Sequence, residues 1–367
     1  VLKPGSGDVI TEPRQDVILG CYWMTQEING SKGEGKAFPS PNAAITAYDF
    51  GDVDFRAKIK ILPSDNVKYA QFEGKVFETT VGRLLFNSSL PNDFPYINEE
   101  MTKKRMSKII HDLVKQYSLD GIPKIVDKIK TFGFTYATKA GITFSHMDAL
   151  VPPQKAAIVK EGQDTVAELW RQYNSGLLTE HERYQRVIEA WTSVSDRIRK
   201  ALMESLSPTT PVHNMVTSGA RGSSAQLHQM AGMKGIITDP RGNAIEFPII
   251  ASMKEGLTPI EYFISTHGSR KGLADTALNT ARAGYLTRRL FDVAQDVVIL
   301  EKDCGTKEGI PVKRPGKDNI GASFGERLAG RVLAQGVLNF KRNHLLAPLE
   351  AMEIENSDIM EAIIRSP

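Results

Sequence analysis

The sequence predicts an α+β fold that is mainly helical and consists of several modules, without one sheet at its centre. Two successive stripes of apolar residues with helical spacing lie within residues 154–206. No proline occurs between Pro259 and Pro311, which leaves room for an unusually long helix. The strand-like runs are short and fall within the first hundred residues.

The composition is that of an ordinary globular protein. The 367 residues are 41% hydrophobic and 24% charged, enough to bury a core and unlike a disordered tail. The net charge of +3 neither requires nor excludes a nucleic-acid partner. Two cysteines, Cys21 and Cys304, are too few for a disulfide framework and favour a reducing compartment. No apolar run approaches the ~18 residues of a membrane span. Because the chain starts at Val1 and stops at Pro367 without a closing element, we expect a fragment or a split subunit.

Residues 1–100 are expected to form a mixed segment of loops and strands. Residues 17–23 make up a short apolar run, which fits either a strand or another buried segment. Alternation in residues 56–61 predicts a half-exposed strand, and residues 76–81 predict another. The pattern then becomes helical, and we assign residues 101–153 to a helical segment.

Residues 154–206 are expected to form an antiparallel helical hairpin. Ser175 and Gly176 separate the two apolar stripes. Thr179, with Glu182 three residues later, predicts a capping box at the start of the second helix. Each arm would have about 25 residues and a length of roughly 37 Å. The pattern fits an ordinary core hairpin as well as a projecting element, and the residues alone leave both interpretations open.

Small residues surround Arg221 within the next segment, residues 207–256. They flank it on both sides, from Ser218 to Ala225, so a bulky anion could approach its guanidinium without obstruction. A guanidinium suits phosphate oxygens because it offers paired hydrogen-bond donors. The alternative is a glycine-rich turn with a surface arginine.

Residues 257–299 predict a helix of nearly 40 residues, which would be close to 60 Å long. Thr258, Pro259 and Glu261 provide a capping hydroxyl, a proline at the first helical position and a glutamate at the third. Glycines at 268, 272 and 284 each cost about 1 kcal/mol relative to alanine, which indicates close approach of another chain or a helix that bends. Five basic and two acidic residues lie between 265 and 295, which suits a phosphodiester backbone or a solvated basic face.

Several strings resemble the bacterial-type DNA-directed RNA polymerase subunit β′. Residues 261–278 read Glu-Tyr-Phe-Ile-Ser-Thr-His-Gly-Ser-Arg-Lys-Gly-Leu-Ala-Asp-Thr-Ala-Leu and, with residues 284–290, are similar to its bridge helix almost residue for residue. Residues 218–235 resemble its F-loop. The hairpin is located where the family has the rim helices of its secondary channel. Shorter matches occur at residues 79–83 and 303–306, so the resemblance covers nearly the whole chain.

The resemblance implies a role for the residues of the long helix. The bridge helix would cross the main cleft beside the active centre. Thr280 and Ala281 would lie under the templating base, where a small side chain leaves room for the base pair. Tyr285, Arg288 and Arg289 would lie near the template strand of the DNA.

The resemblance also implies where the chain depends on other segments. Arg221 would face the phosphates of the incoming NTP, and the hairpin tip would bind factors that enter the secondary channel. The family holds its catalytic Mg²⁺ with three aspartates of an Asn-Ala-Asp-Phe-Asp-Gly-Asp string, which does not occur here. No catalytic residue is therefore expected, and the chain alone is predicted to be inactive. Cys304 matches the first of four zinc-binding cysteines, so Zn²⁺ would need ligands from other sequence.

The implied function is template-directed RNA synthesis from NTPs by a multisubunit complex. The implied partners are the RNA polymerase β, α, ω and σ subunits, the DNA template and the RNA–DNA hybrid, with no membrane. Residues 300–367 would begin the downstream zinc-associated segment. The implied location is the bacterial cytoplasm at the nucleoid. A plastid is the other implied location, because the plastid lineage divides this subunit into two chains. Two alternatives remain, a non-catalytic β′ fragment that docks transcription factors and a stand-alone helical protein that binds nucleic acid.

Overall fold

The structure is a computed structural model, and it describes residues 9–117, 121–298, 300–301, 305–306, 308–315 and 322–365. The chain divides into two compact units. One comprises residues 12–277, and the other comprises residues 278–367 together with the first eleven residues. The boundary falls inside the longest helix. The described chain is mainly helical, as the sequence predicts. Its strands form two small sheets, and the second of these lies beyond the first hundred residues, where no strand was expected.

The first hundred residues contain helices as well as the expected strands. In chain order the elements are α1 (Asp16–Thr25), β1 (Ala37–Phe38), α2 (Pro41–Asp49), β2 (Ile59–Ile61), a 3-10 helix (Val67–Phe72), β3 (Phe77–Thr79) and α3 (Val81–Ser88). Strand β2 pairs in parallel with β1 and antiparallel with β3. Ile59, Ile61 and Phe77 are buried beneath this sheet. The two predicted strands are therefore present but shorter than expected, and Val81 begins a helix capped by Thr80.

The apolar run at residues 17–23 lies in α1, so the strand interpretation is wrong and the buried-segment interpretation is right. A short, fully apolar run has no periodicity that separates a strand from a buried helix. Helix α1 packs against α5 (Ile122–Ala140), which follows α4 (Lys103–Gln116). The crossing depends on Gly20 and Gly133, since an added Cβ at Gly20 would lie 2.0 Å from the carbonyl oxygen of Gly133.

The predicted hairpin consists of α6 (Lys155–Asn174) and α7 (Glu180–Ser205). Arg197 pairs with Glu161 at 2.7 Å near one end, and Arg183 lies 4.1 Å from the ring centre of Trp170 near the other. Late residues of α7 therefore contact early residues of α6, so the helices are antiparallel. A shared apolar core joins them. The capping box of Thr179 and Glu182 forms as predicted.

A compact connection leads from the hairpin to the longest helix. A 3-10 turn (His146–Asp148) precedes the hairpin. After it come α8 (Pro211–Thr217), α9 (Ser224–Leu227), a single π-helical turn (His228–Gly232) and α10 (Pro259–Ala294). Helix α10 has 36 residues, so it extends over about 54 Å. The predicted long helix is thus continuous and is not folded back into shorter pieces.

The second compact unit has its own small core. It contains β4 (Gly309–Lys313), α11 (Phe324–Leu328), α12 (Pro348–Glu355) and β5 (Glu361–Arg365). The two strands pair antiparallel, with Gly309 opposite Arg365. Phe324, Leu333 and Ile354 are buried in the core of this unit. Across the described ranges, no helix combines the length and the apolar character needed to cross a membrane.

Candidate nucleic-acid and nucleotide interface

The start of α10 is fixed by the predicted capping box. The Glu261 carboxylate accepts hydrogen bonds from the backbone amide and the hydroxyl of Thr258, at 2.9 and 2.8 Å. The Thr258 hydroxyl in turn accepts from the Glu261 amide at 3.4 Å. Burial tends to raise the pKa of Glu261, but these hydrogen bonds and those from the backbone of residues 250–251 outweigh it and lower the pKa. The carboxylate is therefore ionised and anchors the first turn.

Beyond its first turns α10 is exposed. From Gly268 to Ala294 every residue is exposed except Lys271, which is half-buried. A Cβ added at Gly272 or Gly284 would meet no described atom within 4 Å, and at Gly268 only a methyl group of Ile237 at 4.0 Å. Close packing within the described chain therefore does not explain these glycines. The two explanations that remain for these glycines are the close approach of another chain to α10 and the bending of α10 itself.

One face of α10 brings together most of the predicted template-binding residues. At 100° per residue, Ala281, Tyr285, Arg288 and Arg289 fall within about 100° of the helix circumference, whereas Thr280 lies about 80° outside that arc. The Arg289 guanidinium stacks 4.6 Å from the ring centre of Tyr285. Arg288 lies 3.8 Å from the carboxylate of Asp292 and is otherwise exposed. The face thus combines a small alanine and an aromatic ring, which suit bases, with two arginines, which suit phosphates.

Arg221 belongs to the other compact unit and lies on an exposed turn between α8 and α9. Gly219 and Gly222 have φ values of 73° and 82°, a backbone conformation that favours glycine. The Arg221 amide donates to the carbonyl of Met215 at 3.2 Å, which fixes the backbone, while the side chain is exposed. The small flanking residues therefore hold a tight turn and leave the guanidinium accessible, which fits both the phosphate-binding prediction and the alternative of a glycine-rich turn with a surface arginine.

A cavity of about 200 Å³ lies beside Arg221, and sequence reasoning did not detect it. Its lining is mainly apolar and includes Phe144, Val212, Met215, Leu227 and Met230. These residues come from three separate segments of the chain. No local pattern connects such residues, so only the folded structure could reveal the cavity.

The described residues do not fit a metal site by themselves. No group of three or more His, Cys, Asp or Glu side chains able to hold a metal ion occurs among them. Cys304, the predicted zinc ligand, lies outside the described residues. The three-aspartate type of Mg²⁺ site is therefore not found within the described part of the chain.

Comparison with known families defines the class of protein. Residues 1–149 match the family model for RNA polymerase Rpb1, domain 3. Residues 178–258 match the model for domain 4, and residues 256–335 match the model for domain 5. The matches follow one another in chain order, so the chain is a segment of a largest subunit of the multisubunit RNA polymerases.

Individual relatives make the assignment more specific. The DNA-directed RNA polymerase subunit β′ of Thermoanaerobacter sp. (strain X514) is 42% identical over 100% of this chain and 32% of its own length. That of Pelotomaculum thermopropionicum is 43% identical over 100% of this chain and 31% of its own length. The chain therefore belongs to the β′ subunit family and corresponds to its central segment. It spans about a third of the length of these relatives.

Proposed function

We propose that the chain is part of the catalytic largest subunit of an RNA polymerase that synthesises RNA from NTPs on a DNA template. In this proposal α10 is the bridge helix, residues 218–235 are the F-loop and the α6–α7 hairpin is the rim of the secondary channel. The observation that supports it best is the continuous 36-residue helix, exposed beyond its first turns, with two arginines on one face. Single exposed helices of this length are rare in globular proteins, where helices average about 11–12 residues.

The exposed face of α10 would contact the template strand. Ala281 offers little bulk, so a base pair could lie against the helix there, with Thr280, the preceding residue, about 100° further around the circumference. Arg288 and Arg289 would contact phosphates, because both side chains are exposed and the long ion pair of Arg288 with Asp292, at 3.8 Å, is a weak solvent-exposed one. Tyr285 supports Arg289 through the stacked contact at 4.6 Å.

Arg221 would bind the phosphates of the incoming NTP. Two observations support this role. The guanidinium is exposed, and it lies on a turn with two positive-φ glycines, where a triphosphate could approach the backbone closely. The chain would contribute positioning and charge, while the metal ions would come from another segment or subunit. The proposed assembly includes the β, α, ω and σ subunits, the DNA template and the RNA–DNA hybrid.

The test of this role is the Arg221→Ala variant in the assembled polymerase. We expect the apparent KM for NTPs to rise roughly 10-fold or more, because a hydrogen bond to a charged group contributes about 1.5–3 kcal/mol. Arg241→Ala is the matched control, since Arg241 is an exposed arginine on a separate turn. An unchanged KM in Arg221→Ala, or an equal rise in both variants, would count against the phosphate role.

A second function, docking of transcription factors, is supported at the hairpin tip. Leu177 is 75% exposed in the turn between α6 and α7, and Trp170 is 42% exposed one helical turn before the end of α6. Such residues can serve as apolar anchors for a partner. If docking were the only function, the polymerase would retain its KM when Arg221 is replaced, so the same experiment separates the two functions.

A further inference from the structure

His228 is a buried imidazole on the same short segment as Arg221. It begins the π-helical turn directly after α9 and is 7% exposed. Burial lowers its pKa, and the nearby positive charges of Arg199 and Lys155 lower it further against the opposing effect of Asp196. The ring is therefore neutral at pH 7, with one nitrogen as donor and the other as acceptor.

The ring is held in one position. Its Nε2 atom lies 2.9 Å from the hydroxyl of Ser195 on α7. On the other side it fills the space left by Gly232, since a Cβ there would lie 2.3 Å from Nδ1. Among the described residues Nδ1 has no hydrogen-bond partner. A donor at Nε2 leaves Nδ1 as an unpaired acceptor, which is less costly than an unpaired buried N–H.

The contact between Ser195 and His228 is one of several polar contacts that the hairpin makes with later parts of the chain, another being the hydrogen bond from the Tyr184 hydroxyl to the carbonyl of Ala244 at 2.9 Å. Arg183, near the tip, pairs with Glu246, with one N···O distance of 3.0 Å, and Lys155 at the base pairs with Glu255. Among the described residues, only the polar contact between Ser195 and His228 reaches residues 218–235, which include Arg221. Leu227, directly before His228, is buried, so α9 and the π-helical turn are packed as one piece.

We infer that Ser195 and His228 are a positioning pair that holds the Arg221 segment on the hairpin and thereby sets the affinity for NTP phosphates. This inference rests on the proposed phosphate role of Arg221. The pair does not touch the substrate. Without the Ser195 hydroxyl the ring loses its hydrogen-bond partner, and only packing, including the close contact with Gly232, still holds it. Arg221 then samples positions in which it does not bind phosphate.

The test compares variants in the assembled polymerase. We expect Ser195→Ala to raise the apparent KM for NTPs roughly 5-fold, the change that corresponds to one hydrogen bond of about 1 kcal/mol, with kcat within about twofold of wild type. Ser195→Thr keeps a hydroxyl and should restore the KM. Thr192→Ala is the matched control, because the Thr192 hydroxyl on the same helix donates only to the carbonyl of Ile188.

The Arg221→Ala variant separates failure of this inference from failure of the proposed function. If Arg221→Ala raises the KM but Ser195→Ala does not, the inference is overturned and the phosphate role stands. If Arg221→Ala has no effect, both are overturned. In the double variant the KM should equal that of Arg221→Ala alone. A further additive rise would show that Ser195 does not act through Arg221 and would overturn the inference.

Discussion

Gly284 offers a direct test of whether α10 must bend. It lies in the exposed part of the helix, and a Cβ there would meet no described atom within 4 Å. Gly284→Ala therefore adds a methyl group to open space and should stabilise the helix by about 1 kcal/mol. That energy corresponds to roughly a 5-fold shift in any equilibrium between a straight and a bent helix. If bending accompanies each elongation step, we expect the variant to elongate up to about 5-fold more slowly.

Two measurements check the two halves of this expectation. Circular dichroism of a peptide with residues 259–294 should show higher helix content for Gly284→Ala than for the wild-type sequence. Elongation by the assembled polymerase at saturating NTP should be slower for the same substitution. Unchanged elongation, together with the higher helix content, would show that bending at this glycine does not limit the rate.

A second variant distinguishes stiffness from steric conflict with another part of the polymerase. Ala283→Gly combined with Gly284→Ala keeps the methyl group at position 284 and returns the lost flexibility one residue earlier. Ala283 is exposed, so the exchange removes no packing within the described chain. We expect the double variant to elongate at nearly the wild-type rate. If it is as slow as the single variant, a clash at position 284 explains the effect and the bending argument is wrong.

Two further predictions concern stability. Gly133→Ala should lower the free energy of unfolding by about 1–3 kcal/mol, because the added Cβ would lie 2.6 Å from the carbonyl oxygen of Val17. Gly272→Ala is the control and should not lower it, because the space around Gly272 is open. Urea denaturation of the chain measures both free energies. The chain should also lose stability as the pH falls below about 6.5, because the unfolded state then binds the His228 proton more readily than the folded state, whose pKa is lowered.

Each stability prediction has its own contradicting outcome. Equal urea midpoints for Gly133→Ala and wild type would show that α1 and α5 can separate without cost. For the histidine, the midpoints at pH 7.5 and 5.5 are compared between wild type and His228→Gln. The lowered pKa of His213 contributes equally to both proteins, so the difference in pH dependence isolates His228. The same pH dependence in both would show that His228 does not contribute.

The elements with local signals were predictable from the sequence. The capping boxes at Thr179 and Thr258 formed as expected, because a cap depends on residues only three positions apart. The hairpin followed from its apolar spacing. The long helix was predictable because it contains no proline after its first position, although it ends at Ala294, about two residues earlier than expected.

Features that depend on distant residues were not predictable. The helical state of α1 depends on its packing against α5, whose Gly133 is more than a hundred positions away. The contact between Ser195 and His228 joins residues 33 positions apart, and a lone serine or histidine has no pattern of its own. Arg221 was found as a candidate, but the cavity beside it was not, because its lining comes from separate segments.

The apolar residues of α10 explain why hydrophobic periodicity was a poor guide there. Leu278, Leu286, Leu290 and Phe291 are between 49% and 65% exposed. At 100° per residue they spread over about 220° of the circumference, so they do not form the single stripe of a surface helix. A helix with apolar residues on several sides is normally enclosed by a larger structure. In the proposed assembly, other parts of the polymerase would enclose this helix on those sides. The face with Ala281 and Arg288 would then be the one left for nucleic acid.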